Sequence, residues 1–166
     1  MVAKSNSSSA VGINIGIDTS NRNKIVEVLE QQLADEHVLY IKLRNFHWNV
    51  RGMYFQPLHA LFQEHYTLLE EQIDEIAERT RMLGAYASGS MQAFIARSSL
   101  SENGHLNGNA EAMLQILLDD QELIIRQLRE GVATVEQAGD AGTTDFLTAL
   151  LEMHEKMAWM LRAHVA

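Results

Sequence analysis

Phe46-His47-Trp48-Asn49-Val50-Arg51-Gly52, with the run that follows it as far as Leu83-Gly84, decides the fold. Within it His47 and His59 stand twelve positions apart, and Asp74 and Glu78 stand four apart. A spacing of four puts both carboxylates on one face of a helix. Imidazole together with carboxylate suits a divalent transition metal such as iron or zinc. Apolar residues recur at helical spacing on both sides of the stretch's first glycine. Ile25, Val28, Leu29, Leu33, Leu39, Leu43 and Phe46 precede it; Leu58, Leu61, Phe62, Leu69, Ile73, Ile76 and Leu83 follow it. The first helix is expected to start at a Ser20 or Asn21 cap, run to Val50 and stop at Gly52. The second should open at Pro57, whose missing N–H costs nothing in a first turn, and stop at Gly84. It would be about 40 Å long at 1.5 Å per residue. The hairpin joins the helix ends that carry His47 and His59.

Beyond Gly84 the pattern lapses. Ser88-Gly89-Ser90 and Glu102-Asn103-Gly104 are turn-like, and Met91 to Ala96 between them is a candidate short helix. A third long helix is expected from Asn109 to Gln137, with Gly131 inside it at a cost of about 1 kcal/mol relative to alanine. After the turn Gly139-Asp140-Ala141-Gly142, a fourth is expected from Thr143 to His164. Two short connections make two antiparallel hairpins, and the long middle connection must travel the length of the bundle. That is an all-α, ferritin-like four-helix bundle with one long crossover carrying a short extra helix. Pro57 is the only proline of the chain, as long helices require. The bundle domain is expected over residues 20–166. Residues 1–19 read as a flexible tail in which the alternation of Val11, Ile13, Ile15 and Ile17 is either an extended segment lying on the surface or part of a disordered arm.

Composition narrows the function. The chain has 166 residues, enough for one domain with a real core. It has no cysteine, which excludes disulfides and thiolate metal sites. Its formal net charge of -9 disfavours a phosphate-binding surface and suits attraction of small cations. No run is apolar enough for a signal peptide or a membrane span, so a cytoplasmic protein is the expectation.

A geometric difficulty constrains the site. His59 and Asp74 share the second helix but lie about 22 Å apart along its axis. Metal–ligand bonds are about 2 Å long. One chain therefore cannot place both on one ion. Either there are two separate sites, or one site is shared across a two-fold axis, with His47 and His59 of one subunit facing the acids of its partner.

His47-Trp48-Asn49-Val50-Arg51-Gly52, Phe55, Leu58-His59, Phe62, Asp74, Glu78-Arg79 and Leu83-Gly84 together resemble the signature of the Dps family, the mini-ferritins. The likeness extends over residues 20–165. It implies a dodecameric shell whose ferroxidase centres lie at two-fold interfaces, with His47, His59, Asp74 and Glu78 as iron ligands. It implies oxidation of Fe(II), usually by hydrogen peroxide, and storage of ferric mineral; zinc would be a competitor at the centre. Trp48 beside His47 reads either as a quencher of escaping oxidising equivalents or as a core tryptophan. Asp145 matches a family position lining an acidic pore, with Asp140 beside it; both also fit capping of the fourth helix. Glu64, and Glu71 with it, are candidates for mineral nucleation. Gln63 departs from relatives that carry an acid there. The alternative reading is a DNA-binding, chromosome-compacting shell, for which the acidic charge predicts weak or absent binding.

His65 falls about 180° from Asp74 around the second helix and reads as a surface or interface histidine, as do His37, His105, His154 and His164. A ferritin of the Glu-x-x-His type would need that spacing on a helix. The chain has it only at Glu102-Asn103-Gly104-His105, in the crossover.

Overall fold

The computed structural model describes residues 12–102 and 106–165. Helices α1 (Thr19–Asn49), α2 (Phe55–Met82), α4 (Ala110–Gln137) and α5 (Ala141–Val165) form the bundle, and α3 (Met91–Arg97) lies in the crossover. α1 pairs with α2, and α4 with α5; α1 packs on α4 across the bundle, and α3 lies against α1. The described residues contain no strand, and no helix among them is long and apolar enough to cross a membrane. Phe46, Phe62, Leu29, Leu39, Leu43, Leu117, Leu128 and Leu161 fill the centre of the core.

Helix ends follow the local chemistry more than the expected boundaries. Asp18, not Ser20 or Asn21, caps α1 by accepting the Asn21 N–H at 2.9 Å. α2 opens at Phe55, so Pro57 sits inside its first turn, where no N–H is called for. Asn109 caps α4 by accepting from Ala112 at 3.1 Å. α5 begins two residues early because Asp140 caps it, its side chain accepting the Thr143 N–H at 3.0 Å.

Two glycines mark close approaches. At Gly84, with φ +88°, an added Cβ would stand 2.1 Å from Ile13 Cδ1. Ile13 thus lies against the end of α2, and Ile17 packs on the core. At Gly131, a Cβ would stand 2.8 Å from Val28 Cγ1. The missing side chain lets α4 and α1 close on each other, which offsets the poor helix propensity of glycine. Residues 1–11 lie outside the described part, Val11 with them.

Buried acids of α1 hold the crossover. Asp35, fully buried, accepts from Gln31 Nε2 at 2.9 Å, Ser98 Oγ at 2.8 Å and Ser99 N at 2.6 Å. Burial nonetheless raises its pKa above the usual carboxylate range. Glu30 accepts the Ser88 N–H at 3.1 Å and the Ser88 hydroxyl. These bonds fix both ends of α3 against the bundle.

Candidate metal centre

The α1–α2 hairpin stacks the rings of His47 and His59, with centroids 3.7 Å apart and planes at 18°. Each ring is oriented by the other residue's backbone. His47 Nδ1 donates to the His59 carbonyl at 2.8 Å, and His59 Nδ1 donates to the His47 carbonyl at 2.8 Å. A carbonyl only accepts, so Nδ1 of each ring carries the proton and Nε2 of the neutral imidazole keeps its lone pair. A backbone carbonyl on one ring nitrogen is what fixes the tautomer of metal-binding histidines and turns the other nitrogen outward. Tyr66 meets His47 edge-on at 5.3 Å, and Phe55 tilts over His59 at 5.1 Å.

Asp74 and Glu78 project from α2, exposed, and neither makes a hydrogen bond or ion pair among the described residues. Asp74 lines an open groove with Glu70, Glu71 and His37. The His37 ring stacks on Phe94 at 3.7 Å, and burial lowers its pKa. No three His, Asp or Glu side chains among the described residues converge on a point that would hold a metal. Within one chain the imidazole pair and the carboxylate pair stay apart, as helix length requires.

Other expected positions separate sharply. Trp48 is 64% exposed, which removes the core reading; Arg44 lies over it at 5.2 Å and also faces Tyr40 and Tyr66. Met53, Tyr54 and Phe55 are exposed apolar residues as well, and Phe55 lies beside His59. Asp145 and Glu64 are exposed, as is Gln63. Asp145 falls in the second turn of α5, so the dipole role expected of it passes to Asp140.

Asp140 caps α5 and pairs with Arg79, the capping side of its reading. It is 5% exposed, and both its oxygens accept from Arg79 Nη2 at 2.9 Å. Thr143 adds a hydroxyl at 2.5 Å, and Arg79 Nε donates to that hydroxyl at 2.8 Å. Burial pulls the Asp140 pKa up, but the bonds from Thr143 and Arg79 outweigh it and hold it below the usual carboxylate range.

His65 and His154 are buried rather than at the surface. Glu36 on α1, Gln121 on α4 and His154 on α5 form a chain through the core. His154 Nε2 lies 2.7 Å from Glu36 Oε1, and His154 Nδ1 lies 2.6 Å from Gln121 Oε1. This network was missed by residue type but is visible by register. Glu36 follows Leu29 and Leu33, Gln121 follows Leu114 and Leu117, and His154 follows Leu147 and Leu150, each at an inward position. His105 lies outside the described residues.

Known proteins place this geometry in a family. The Ferritin family, described as a ferritin-like domain, matches residues 26–166. The chain is 44% identical over 154 residues to an uncharacterised low temperature-induced protein of Nostoc sp., covering 92% of this chain and 86% of that protein. It is 39% identical to DNA protection during starvation protein 2 of Bacillus anthracis, covering 84% and 95% of the two chains. The crystal structure of a Dps protein from Vibrio cholerae O1, described as a member of a broad superfamily of ferritin-like diiron-carboxylate proteins, superposes with a TM-score of 0.89 at 32% identity, covering 96% of this chain and all of that one. With its crossover bundle, its back-to-back histidines and relatives at this level of identity, the chain belongs to the Dps proteins of the ferritin-like family.

Proposed function

We propose that this protein oxidises and stores iron at centres completed between two subunits. The observation that carries the proposal is the pairing of two half-sites: imidazoles with Nε2 free at the α1–α2 hairpin, and two carboxylates without partners among the described residues, about 22 Å from His59 along α2. A two-fold axis that places His47 and His59 against the partner's acids joins them twice per dimer. The exposed apolar residues Trp48, Met53, Tyr54 and Phe55 are suited to burial in such an interface.

At that centre Fe(II) is the substrate. His47 and His59 supply neutral nitrogen, Asp74 and Glu78 supply negative charge, and together they favour the ferric product over the ferrous reactant. Two Fe(II) give two electrons to one hydrogen peroxide, which with two protons becomes two waters, so no hydroxyl radical need be released. Trp48, one residue from His47, is placed to intercept an oxidising equivalent that escapes. Assembly of twelve subunits would enclose the mineral. Asp145 would line an entry pore, and Glu64 would offer an inner carboxylate for nucleation. Zinc, with the same ligand preferences, would compete at the centre. A net charge of -9 argues against DNA binding at physiological salt.

Stopped-flow absorbance of ferric formation, with peroxide and with oxygen in parallel, tests the proposal. Wild-type protein should oxidise Fe(II) far faster than the buffer blank, and the His47→Ala/Asp74→Ala variant should fall to near that blank. A variant that kept the wild-type rate would show the assignment to be wrong.

A further inference from the structure

Between α2 and α5, apart from the histidine–carboxylate centre, lies a cavity of about 430 Å³ with Glu64 among its lining residues. His65 forms part of its wall and is 1% exposed. Neither Nδ1 nor Nε2 of this ring has a hydrogen-bond partner among the described residues. A buried polar atom left without a partner costs about 1–3 kcal/mol, so two on one ring demand an explanation. Burial, with smaller contributions from His154 and His164, lowers the pKa of His65 to about 4. The ring is therefore neutral near pH 7 and carries a free lone pair.

The opposite wall is unusual in its chemistry. Met153, Met157 and Met160, spaced i, i+4 and i+7, lie on one face of α5, and all three line the cavity. Methionine often serves merely as a pliable filler of apolar gaps. Two features argue for more here. The methionines share the cavity with a buried imidazole that no described residue hydrogen-bonds. In addition, Met157 is held in place: its sulfur accepts from Gln121 Nε2 at 3.4 Å, and Gln121 is itself fixed through His154 to Glu36. One sulfur lone pair is thereby engaged, and another remains.

Charge and softness identify the occupant. The carboxylates Glu64 and Glu152 and the ammonium of Lys156 belong to exposed residues at the cavity's mouth, leaving imidazole and thioether as the inner donors. A neutral ligand set compensates no charge. The solvation energy an ion surrenders on burial grows with the square of its charge, so a divalent ion would be disfavoured about fourfold more strongly than a monovalent one. Thioethers also select soft ions, Cu(I) among them. We propose that the cavity between α2 and α5 binds one soft monovalent cation, Cu(I), through His65 and the thioethers of Met153, Met157 and Met160. The site lies within one subunit and does not depend on the shared histidine–carboxylate centre.

The test uses Ag(I), an air-stable ion of the same charge and softness, added to the assembled protein labelled with ¹³C at the methionine methyls. Of the 8 methionines, the methyl signals of Met153, Met157 and Met160 should shift together and saturate at one Ag(I) per subunit. Met113, buried elsewhere, should not move. His65→Leu, and separately Met153→Leu/Met160→Leu, which nearly conserves volume, should each weaken Ag(I) binding by about tenfold or more. Zn(II) at the same concentration should leave all three signals in place. Shifts confined to the exposed Met53, Met82 and Met91 would overturn the proposal, as would wild-type Ag(I) affinity in either variant.

Discussion

His47 and His59 each donate their Nδ1 proton to the other's backbone carbonyl, at 2.8 Å in both directions. Each residue therefore serves both as a candidate ligand and as the support that aims its neighbour. Replacing either by alanine removes one ligand nitrogen and the stacked ring, but leaves the backbone carbonyl that accepts from the surviving ring's Nδ1. His47→Ala and His59→Ala should each lower Zn(II) affinity at the centre by about 100-fold, and the two losses should roughly add in the double variant, because each surviving ring keeps the bond that aims it. Calorimetric Zn(II) titration of the three variants measures this. A double variant that lost little beyond either single one would show that each ring needs its neighbour's side chain to hold its aim.

Arg79 joins Asp140 and Thr143 at the start of α5, and this junction should be sensitive to acid. The folded-state pKa of Asp140 is lowered, so the unfolded chain takes up a proton first as pH falls. The stabilisation is whole above the unfolded value near 4 and is lost as pH falls through the folded one. Asp140→Ala removes a helix cap and the partner of Arg79, and should cost about 2 kcal/mol at pH 7. Its stability should also decline less steeply than that of the wild type between pH 4 and pH 2. Urea unfolding followed by circular dichroism at a series of pH values gives both numbers.

The bundle was legible in the sequence because its apolar stripes, its two short turns and its one long crossover are all local patterns. The histidine pair was legible for the same reason, since a short hairpin must bring His47 and His59 together. Asp140 was harder. Its partners, Arg79 and Thr143, include a residue 61 positions away in the chain, and an aspartate in a turn looks alike whether it caps a helix or lines a pore. His65 and His154 were misplaced because residue type outweighed register. Each stands where its helix turns inward, yet histidine by itself suggests a surface. The boundaries of α1 and α5 moved because aspartate, an able cap, stood just outside each expected start.

The buried pair of His154 and Glu36 makes a sharper thermodynamic prediction. His154→Leu leaves the Glu36 carboxyl, fully buried, without its only hydrogen-bond partner among the described residues. The loss should be about 3–5 kcal/mol. Adding Glu36→Leu should recover part of it, because the buried carboxyl is removed while Gln121 Oε1 still lacks the ring that bonds it. Chemical denaturation of the two single variants and the double variant closes the cycle. A double variant as unstable as His154→Leu would mean that the pair contributes shape rather than charge compensation.

Asp145 offers a way to separate entry of iron from its oxidation. The residue is exposed and makes no ion pair among the described residues, so Asp145→Asn should change the melting temperature by little. If it lines an acidic pore, the same change removes one charge per subunit, and those charges converge wherever subunits meet about a symmetry axis. Ferric accumulation at low Fe(II) should slow several-fold, most strongly at low ionic strength, where electrostatic steering is least screened. Equal rates in wild type and variant across salt concentrations would remove Asp145 from the entry route.

The shared centre itself is tested by complementation. One chain carries His47→Ala and His59→Ala, and the other carries Asp74→Ala and Glu78→Ala. Assembled alone, neither has an intact centre. In a mixed dimer, one of the two centres takes its histidines from the second chain and its acids from the first, and both halves are wild type. The other centre is doubly defective. Random assembly from equal amounts makes half of all dimers mixed, so about a quarter of centres should be restored. Co-expressed and co-purified protein should therefore oxidise Fe(II) at about a quarter of the wild-type rate, while each variant alone gives the blank. A centre built within one chain would give no activity in the mixture, because no single chain holds all four residues.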